Sequence, residues 1–338
     1  MTRVLVLGPP EGPPGIAPES ALLGLPIVRR TALSARRAGF EEITVLEPPL
    51  AVRAALVGTD AEALEAAPPE GVRIAWNRVV DVRDLEAIRA GAVPSSVGVA
   101  VDSPGDFRRA EDHLLASLVK DTEGFMSRHF ERKISLAVSR RLAATTITPN
   151  AMTLVSVAIG LFGASFFLET TAASQTVGAL LFLLHSILDG CDGELARLKF
   201  QESRFGGLLD FWGDNVVHVA VFSAMAAGWS RSVGAAWPLA LGGLAVGGTL
   251  ASAFLVYFRT MAAPREGPLY TSVATVEQTR LSRVADALSR RDFIYLVLIL
   301  SAFGKAAWFL VLTAVGAPVY FLVLTAIALA ERRRPRSA

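Results

Sequence analysis

The chain has 338 residues, 52% of them hydrophobic, and a formal net charge of +2. So balanced a charge excludes a bulk nucleic-acid partner, and one cysteine, Cys191, excludes an intrachain disulfide. The length allows two domains, and the composition is uneven: residues 1–119 mix charge with many Pro and Gly, whereas residues 150–330 carry long apolar runs.

Residues 3–8 (RVLVLG) predict a first strand, and the start MTRVLVLG lacks the charged and then apolar regions of a signal peptide. A loop rich in Pro and Gly follows, then a helix over 27–37 and a strand over 43–46. VRIAWNRVV and VGVAV are further strand candidates. Residues 102–107 (DSPGDF) open a helix with Ser103 as N-cap and Pro104 in the first turn. This order resembles a nucleotidyltransferase domain, with Gly24-Leu25-Pro26 and residues 102–107 as the matching strings. The loop GPPEG at 8–12 has neither paired glycines nor a basic residue to hold a triphosphate. A degenerate, non-catalytic relative occupying 1–119 is the expectation, with an active cytidylyltransferase as the alternative.

Residues 120–145 place Phe125, Met126, Phe130, Ile134 and Val138 among basic residues at helical spacing. They predict an amphipathic helix lying in the membrane interface. Beyond it, apolar runs at about 150–169, 174–195, 206–228, 233–258, 292–304 and 306–330 predict six spanning helices. The turn between the last two falls either at Gly304-Lys305 or at Gly316-Ala317-Pro318. Basic residues alternate along this region. They precede the first span (Arg128, Arg132, Lys133, Arg140, Arg141) and follow the second (Arg197, Lys199, Arg204). They also follow the fourth (Arg259, Arg265, Arg280, Arg283, Arg290, Arg291) and fill the tail (Arg332, Arg333, Arg334, Arg336). Both termini are therefore expected on the cytoplasmic side. The fold class expected is a polytopic α-helical membrane domain over 146–332 with a small N-terminal α/β cytosolic domain.

Within this region Asp189, Asp192, Asp210 and Asp214 form two pairs spaced i,i+3 and i,i+4, so each pair projects from one helix face. Carboxylates at membrane depth are costly and point to function. Four of them repel one another unless a cation neutralises them, and oxygen-only donors suit a hard divalent ion such as Mg²⁺, Mn²⁺ or Ca²⁺. His185 and His218 each lie one turn from an aspartate and could orient a carboxylate. A lone histidine on an apolar helix is more often a packed residue, so neither enters the catalytic set.

The string fits D-x2-D-G-x2-A-R-x8-G-x3-D-x3-D through Asp189, Asp192, Gly193, Ala196, Arg197, Gly206, Asp210 and Asp214. This resembles the signature of the CDP-alcohol phosphotransferases, integral membrane enzymes of phospholipid synthesis. Thr148-Pro149-Asn150 with Thr153 resembles the string that opens the first span in that family, where it helps form the nucleotide pocket. The same string also reads as a helix start. The resemblance implies displacement of CMP from a CDP-alcohol by an alcohol acceptor. Asp189, Asp192 and Asp210 would hold Mg²⁺ or Mn²⁺, with Ca²⁺ able to occupy the site. Asp214 would act as the base and could touch a second ion. Thr148, Pro149, Asn150, Gly193, Ala196, Arg197 and Gly206 would meet the CDP group alongside Asp189 and Asp192. Arg197 would pair with a carboxylate or a phosphate. Arg132, Lys133, Arg204 and Arg259 would bind a phosphorylated acceptor, such as an inositol phosphate, or anchor anionic lipid head groups. The two-part arrangement resembles archaeal and bacterial proteins that make CDP-inositol and then di-inositol-phosphate phosphate. A homodimer is expected, through small-residue surfaces on the third and fourth spans. A divalent-cation transporter and a silent regulatory membrane protein are the competing classes. The first has no need of the motif's fixed glycines, alanine and arginine, and the second has no need of all four aspartates.

Overall fold

The computed structural model describes residues 4–10, 16–65, 68, 71–119, 130–262 and 293–333. The chain divides into two units. The first takes residues 1–121, 136–147 and 194–201, and the second takes the remainder.

The first unit begins with β1 (Val4–Gly8), β2 (Ala21–Leu22), β3 (Leu25–Pro26), α1 (Ile27–Arg37), β4 (Glu42–Leu46) and α2 (Leu50–Ala55). It continues through β5 (Ala61–Leu64), β6 (Val72–Ala75), β7 (Arg78–Val79), α3 (Val82–Arg89), β8 (Val99–Ala100) and α4 (Asp106–Ala116). Four strands form one parallel sheet in the order β5-β4-β1-β6. The middle residues of β1 and β4 are buried throughout, as strands covered on both faces require. Leu5, Leu7, Val28, Ala32, Phe40, Val45 and Leu85 lie in the core beneath them.

The first strand, the helix over 27–37 and the strand near 43–46 fall where the sequence puts them. Two expectations shift. VRIAWNRVV is two strands: β6 joins the parallel sheet, while β7 turns away after Trp76 and Asn77 and pairs antiparallel with β8. The helix expected from Ser103 begins instead at Asp106. Ser103 is not its cap, because its backbone N–H and its hydroxyl both donate to the Asp106 carboxylate, at 3.0 and 2.8 Å, closing a turn around Pro104 and Gly105. The Gly24-Leu25-Pro26 string is the bend and return strand of the β2–β3 hairpin. Leu23 and Gly24 both have positive φ there, as a tight two-residue hairpin turn demands.

The helical region comprises α5 (Arg132–Ala143), α6 (Pro149–Ser165), α7 (Ala172–Lys199), α8 (Arg204–Val233), α9 (Trp237–Val256), α10 (Phe293–Ala302) and α11 (Ala306–Arg333). Four stretches are long and apolar enough to cross a membrane: Pro149–Leu168, Ala172–Lys199, Trp237–Met261 and Ala306–Ala330. The protein is an integral membrane protein. The third and fifth expected spans are also helices, α8 and α10. The former carries Arg204, Asp210, Asp214 and Arg231, and the latter has 10 residues. Of the amphipathic stretch, residues 120–129 with Phe125 and Met126 lie outside the described residues. So do Arg265, Arg280, Arg283, Arg290 and Arg291, and Arg334 and Arg336 in the tail. On the described part, Phe130 and Ile134 leave apolar surface exposed one turn apart.

The two candidate breaks near the end are now distinguished. Gly304, at φ 66°, ends α10, and Lys305 N–H closes on the Leu300 carbonyl at 2.8 Å. That is a glycine helix stop. Pro318 instead lies inside α11. A proline there removes one N–H and frees a carbonyl one turn earlier. Gly248 of α9 packs against this turn: a Cβ on it would meet the Pro318 nitrogen at 2.5 Å.

The first unit also takes in the last turn of α7. Arg30, buried on α1, donates to the carbonyls of Leu22, Leu23 and Leu198 at 3.0, 3.2 and 2.9 Å. Burial pulls its pKa down to about 10. Phe200 follows in a left-handed conformation, φ 57°, while Gln201 N–H returns to the Ala196 carbonyl at 2.9 Å. A non-glycine residue at this helix-ending position costs about 1–2 kcal/mol. The Arg37 guanidinium lies 4.4 Å from the Phe200 ring centre and Arg30 lies 5.7 Å from it, so cation–π contacts offset part of that cost.

Candidate active site

Thr148 has extended backbone, and its hydroxyl accepts from Ala151 N–H at 3.2 Å. It is the N-cap of α6, with Pro149 at the first helical position. The helix-start reading of the T-P-N string therefore holds. The next residue, Asn150, meets the start of α8: a Cβ on Gly206 would sit 2.9 Å from Asn150 Oδ1. A side chain at 206 would have to displace the Asn150 amide. Ser203 caps α8 by accepting from Gly206 N–H at 3.0 Å.

On α7 the fixed positions fall at 189, 192, 193, 196 and 197. These are the i, i+3, i+4, i+7 and i+8 positions of one helical stripe. On α8, Gly206, Asp210 and Asp214 repeat every four residues on another stripe. Asp189 and Asp192 are buried, at 3% and 6% exposure. Asp189, Asp192 and Asp210 each present a carboxylate oxygen, and these oxygens lie within 4.8 Å of one another. Three acidic oxygens so close form a donor set for one hard divalent cation.

Asp214 is not one of the three. Its Oδ1 lies 3.3 Å from His185 Nε2 and 3.9 Å from His218 Nδ1. His218 Nδ1 donates to the Asp214 backbone carbonyl at 2.8 Å, a local bond within α8. His185 comes from α7. Its spacing from Asp189 points to the wrong aspartate, and only the packing of α7 on α8 pairs it with Asp214. Thr153 is a second residue whose part the sequence leaves undefined: from α6 its buried hydroxyl donates to Asp192 Oδ2.

The basic candidates are dispersed. The Arg204 guanidinium donates to the carbonyls of Met261 and Ala262 at 3.0 and 3.3 Å, at the end of the Trp237–Met261 stretch. Arg132 lies against α7, with Nη1 3.5 Å from where a Gly190 Cβ would be. Lys133 is exposed, and Arg259 is half-buried on the π-helical turn Tyr257–Met261. Trp212 packs against Phe254 and Tyr257, with ring centres 5.1 and 5.7 Å away. Cys191 is buried beside the Ser135 and Ile187 carbonyls.

Comparison with known proteins shows what this arrangement is similar to. Residues 146–282 match the model of the CDP-alcohol phosphatidyltransferase family. That stretch carries the similarity of the chain to the family. It includes α6 to α9 and every aspartate of the motif. The chain is similar to a bifunctional IPC transferase and DIPP synthase of Thermococcus kodakarensis, at 40% identity over 127 residues. That match covers 37% of this chain and 28% of the relative. A protein of the same description from Rubrobacter xylanophilus is 33% identical over 190 residues, 54% of this chain and 42% of the relative. Archaetidylinositol phosphate synthase of Pyrococcus horikoshii is 30% identical over 92 residues, 27% of this chain and 47% of that protein. The chain thus spans less than half the length of these curated relatives. Among solved structures, phosphatidylinositol phosphate synthase of Mycobacterium tuberculosis with CDP-DAG bound matches at 17% identity and a TM-score of 0.38. That match covers 56% of this chain and 92% of the other.

Proposed function

We propose that the protein is a membrane-embedded, metal-dependent transferase. It moves a phosphate-linked alcohol from a CDP-alcohol to an alcohol acceptor and releases CMP. The observation that carries this reading is the meeting of Asp189, Asp192 and Asp210 within 4.8 Å, all inside the stretch that matches the family. These residues would hold a divalent ion, Mg²⁺ or Mn²⁺ or in their place Ca²⁺, which when bound would neutralise charge on the pyrophosphate. Asp214 takes the proton of the attacking hydroxyl. The acceptor oxygen bonds to the alcohol-bearing phosphorus, the bridging P–O bond breaks, and CMP leaves with that electron pair.

Thr148, Pro149, Asn150, Gly193, Ala196, Arg197 and Gly206 flank the CDP group on this reading. The small residues Gly193, Ala196 and Gly206 support this placement, since they add little bulk beside a nucleotide. Arg132, Lys133, Arg204 and Arg259 are the acceptor candidates, and Arg204 is also engaged with two backbone carbonyls. The name of the Pyrococcus relative supports an acceptor resembling inositol phosphate. CMP release from CDP-alcohols by the purified protein, with Mg²⁺, with Mn²⁺ and with chelator, tests the reaction. An acceptor screen in the same assay identifies the second substrate. A protein that transports cations and releases no CMP would overturn the reading.

The remaining organisation follows from the same reading. The helices α6 to α11 make six spans, with both termini and the aspartates on the cytoplasmic side, in contact with lipid and paired as a homodimer. Alternation of basic residues supports the sidedness. The α/β region over 1–119 does not transfer nucleotide, because its first loop lacks a triphosphate cradle. CDP-alcohol formation from CTP by the full chain would contradict that.

A further inference from the structure

We propose that His185 is a positioning residue for Asp214, seated for that task by Ser156 and Gly160. The inference rests on the reaction above and assigns a residue that lies outside the family motif. The His185 ring is 1% exposed and bridges three helices. Its Nδ1 lies 3.0 Å from the Ser156 carbonyl of α6, and its Nε2 lies 3.3 Å from Asp214 Oδ1 of α8. A carbonyl only accepts, so Nδ1 is the donor there and the ring orientation is fixed. Nε2 faces the carboxylate, and a proton held between Nε2 and Oδ1 makes that contact a hydrogen bond.

Two further contacts hold the ring. Phe182, one turn earlier on α7, lies nearly parallel to it at 16°, with ring centres 6.1 Å apart. Gly160, one turn beyond Ser156 on α6, has no side chain where one would collide: a Cβ there would lie 3.0 Å from His185 Cγ and 2.6 Å from Val217 Cγ1. The α6 segment that seats His185 also carries Thr153, the hydroxyl donor to Asp192. One face of α6 therefore orients an aspartate on α7 directly and an aspartate on α8 through His185. The other histidine is less well placed: its Nδ1 is engaged with the Asp214 backbone carbonyl and lies 3.9 Å from Oδ1. Fixing one carboxylate oxygen limits how the carboxylate can turn toward an incoming hydroxyl, and misplacement of a reacting group by about 1 Å can cost about 100-fold in rate.

Two near-isosteres separate positioning from mere packing. The Gln amide nitrogen reaches the place of Nε2 and meets Asp214, while the Asn amide nitrogen reaches the place of Nδ1 and meets only Ser156. For CMP release, His185→Gln is expected to keep kcat within about threefold of the parent, and His185→Asn to lose roughly 10–100-fold with KM for the CDP-alcohol nearly unchanged. In an Asp214→Asn background, His185→Asn should cause no further loss, because its effect passes through that carboxylate. The reverse ranking of Gln and Asn, or a full multiplicative loss in that background, overturns the proposal. A parent that releases no CMP sinks the transferase reading instead. The positioning claim is then read from ¹⁵N-histidine NMR of the full chain in nanodiscs. Asp214→Asn should shift the His185 Nε2 signal and leave Nδ1 in place, and an unmoved Nε2 signal would reject the contact.

Discussion

Replacing Thr153 with valine exchanges one hydroxyl for a methyl group and keeps the branched shape. The site is closed: Thr153 is 1% exposed and Asp192 6%. The hydroxyl has a single proton and two acceptors nearby, Asp192 Oδ2 and the Pro149 carbonyl at 3.3 Å, and the carboxylate is the closer and charged one. A hydrogen bond to a charged group contributes about 1.5–3 kcal/mol, and every 1.4 kcal/mol is about tenfold in an equilibrium constant. The valine variant should therefore bind Mn²⁺ about 10–100-fold more weakly, the range seen when an outer partner of a metal ligand is removed. At saturating Mn²⁺ its turnover should return to within about threefold of the parent, because the ligand itself remains. Free Mn²⁺ measured by electron paramagnetic resonance on protein in nanodiscs gives the affinity, and CMP release gives the turnover. Thr153→Ser keeps the hydroxyl and should stay close to the parent. Equal Mn²⁺ affinity in parent and valine variant, or a serine variant as weak as valine, would refute the reasoning.

Three other outcomes are expected. Asp210→Asn removes the α8 ligand from the three-carboxylate group, so metal-dependent CMP release should vanish while the protein still extracts as a folded species; activity that survives in chelator would count against the site. In the first unit, His113 Nε2 meets Asp84 Oδ2 at 2.7 Å, which raises the His113 pKa above its ordinary 6.5. Burial pushes the Asp84 carboxyl up, yet bonds from His113 and the Asp81 backbone outweigh it and leave Asp84 below 3.8. The pair contributes fully between those two ordinary values and is lost as pH rises through the raised histidine pKa. Hydrogen exchange in α3 and α4, corrected for intrinsic rate, should therefore loosen more between pH 6 and 9 in the parent than in His113→Gln, and equal loosening would remove the linkage. Gly248→Val should lower the melting temperature in detergent, since its Cβ would overlap the Pro318 nitrogen and the Ala317 carbonyl carbon at 2.5 and 2.6 Å, and overpacking costs about 1–3 kcal/mol. An unchanged melt would mean that α9 and α11 do not pack this way.

The parts of the molecule legible in the sequence are those with a short-range cause. Periodicity of 3.6 put Asp189 and Asp192 on one helix face, and Asp210 and Asp214 on another. Apolar length marked each helical stretch from α6 to α11. The capping threonine and the proline after it marked where α6 starts. Near the C-terminus two breaks looked equal in the string, and backbone conformation separated them. Gly304 adopts the left-handed state that ends a helix, while Pro318 lies inside its helix. DSPGDF misled because serine before proline has the composition of a helix start, whereas here its donors go to Asp106.

What stayed hidden depends on how separate helices cross. His185 sits four residues before Asp189, so one-dimensional spacing ties it to that aspartate. In three dimensions it faces Asp214, 29 residues away, and Thr153 reaches Asp192 across 39. Neither partner can be chosen without the contact of α6 with α7 and α8, and that contact depends on a missing side chain at Gly160. The same holds in the first unit, where Arg30 meets the Leu198 carbonyl across 168 residues. These residues share a chemical logic. A buried donor or acceptor must find a partner, because leaving it alone costs about 1–3 kcal/mol. Where the sequence gives no local partner, most such groups find a distant one. A buried polar residue on an apolar helix is thus a statement about an unseen neighbour. For His185 and Thr153 that neighbour is an aspartate of the motif, which ties the packing of α6 to the geometry of the proposed reaction.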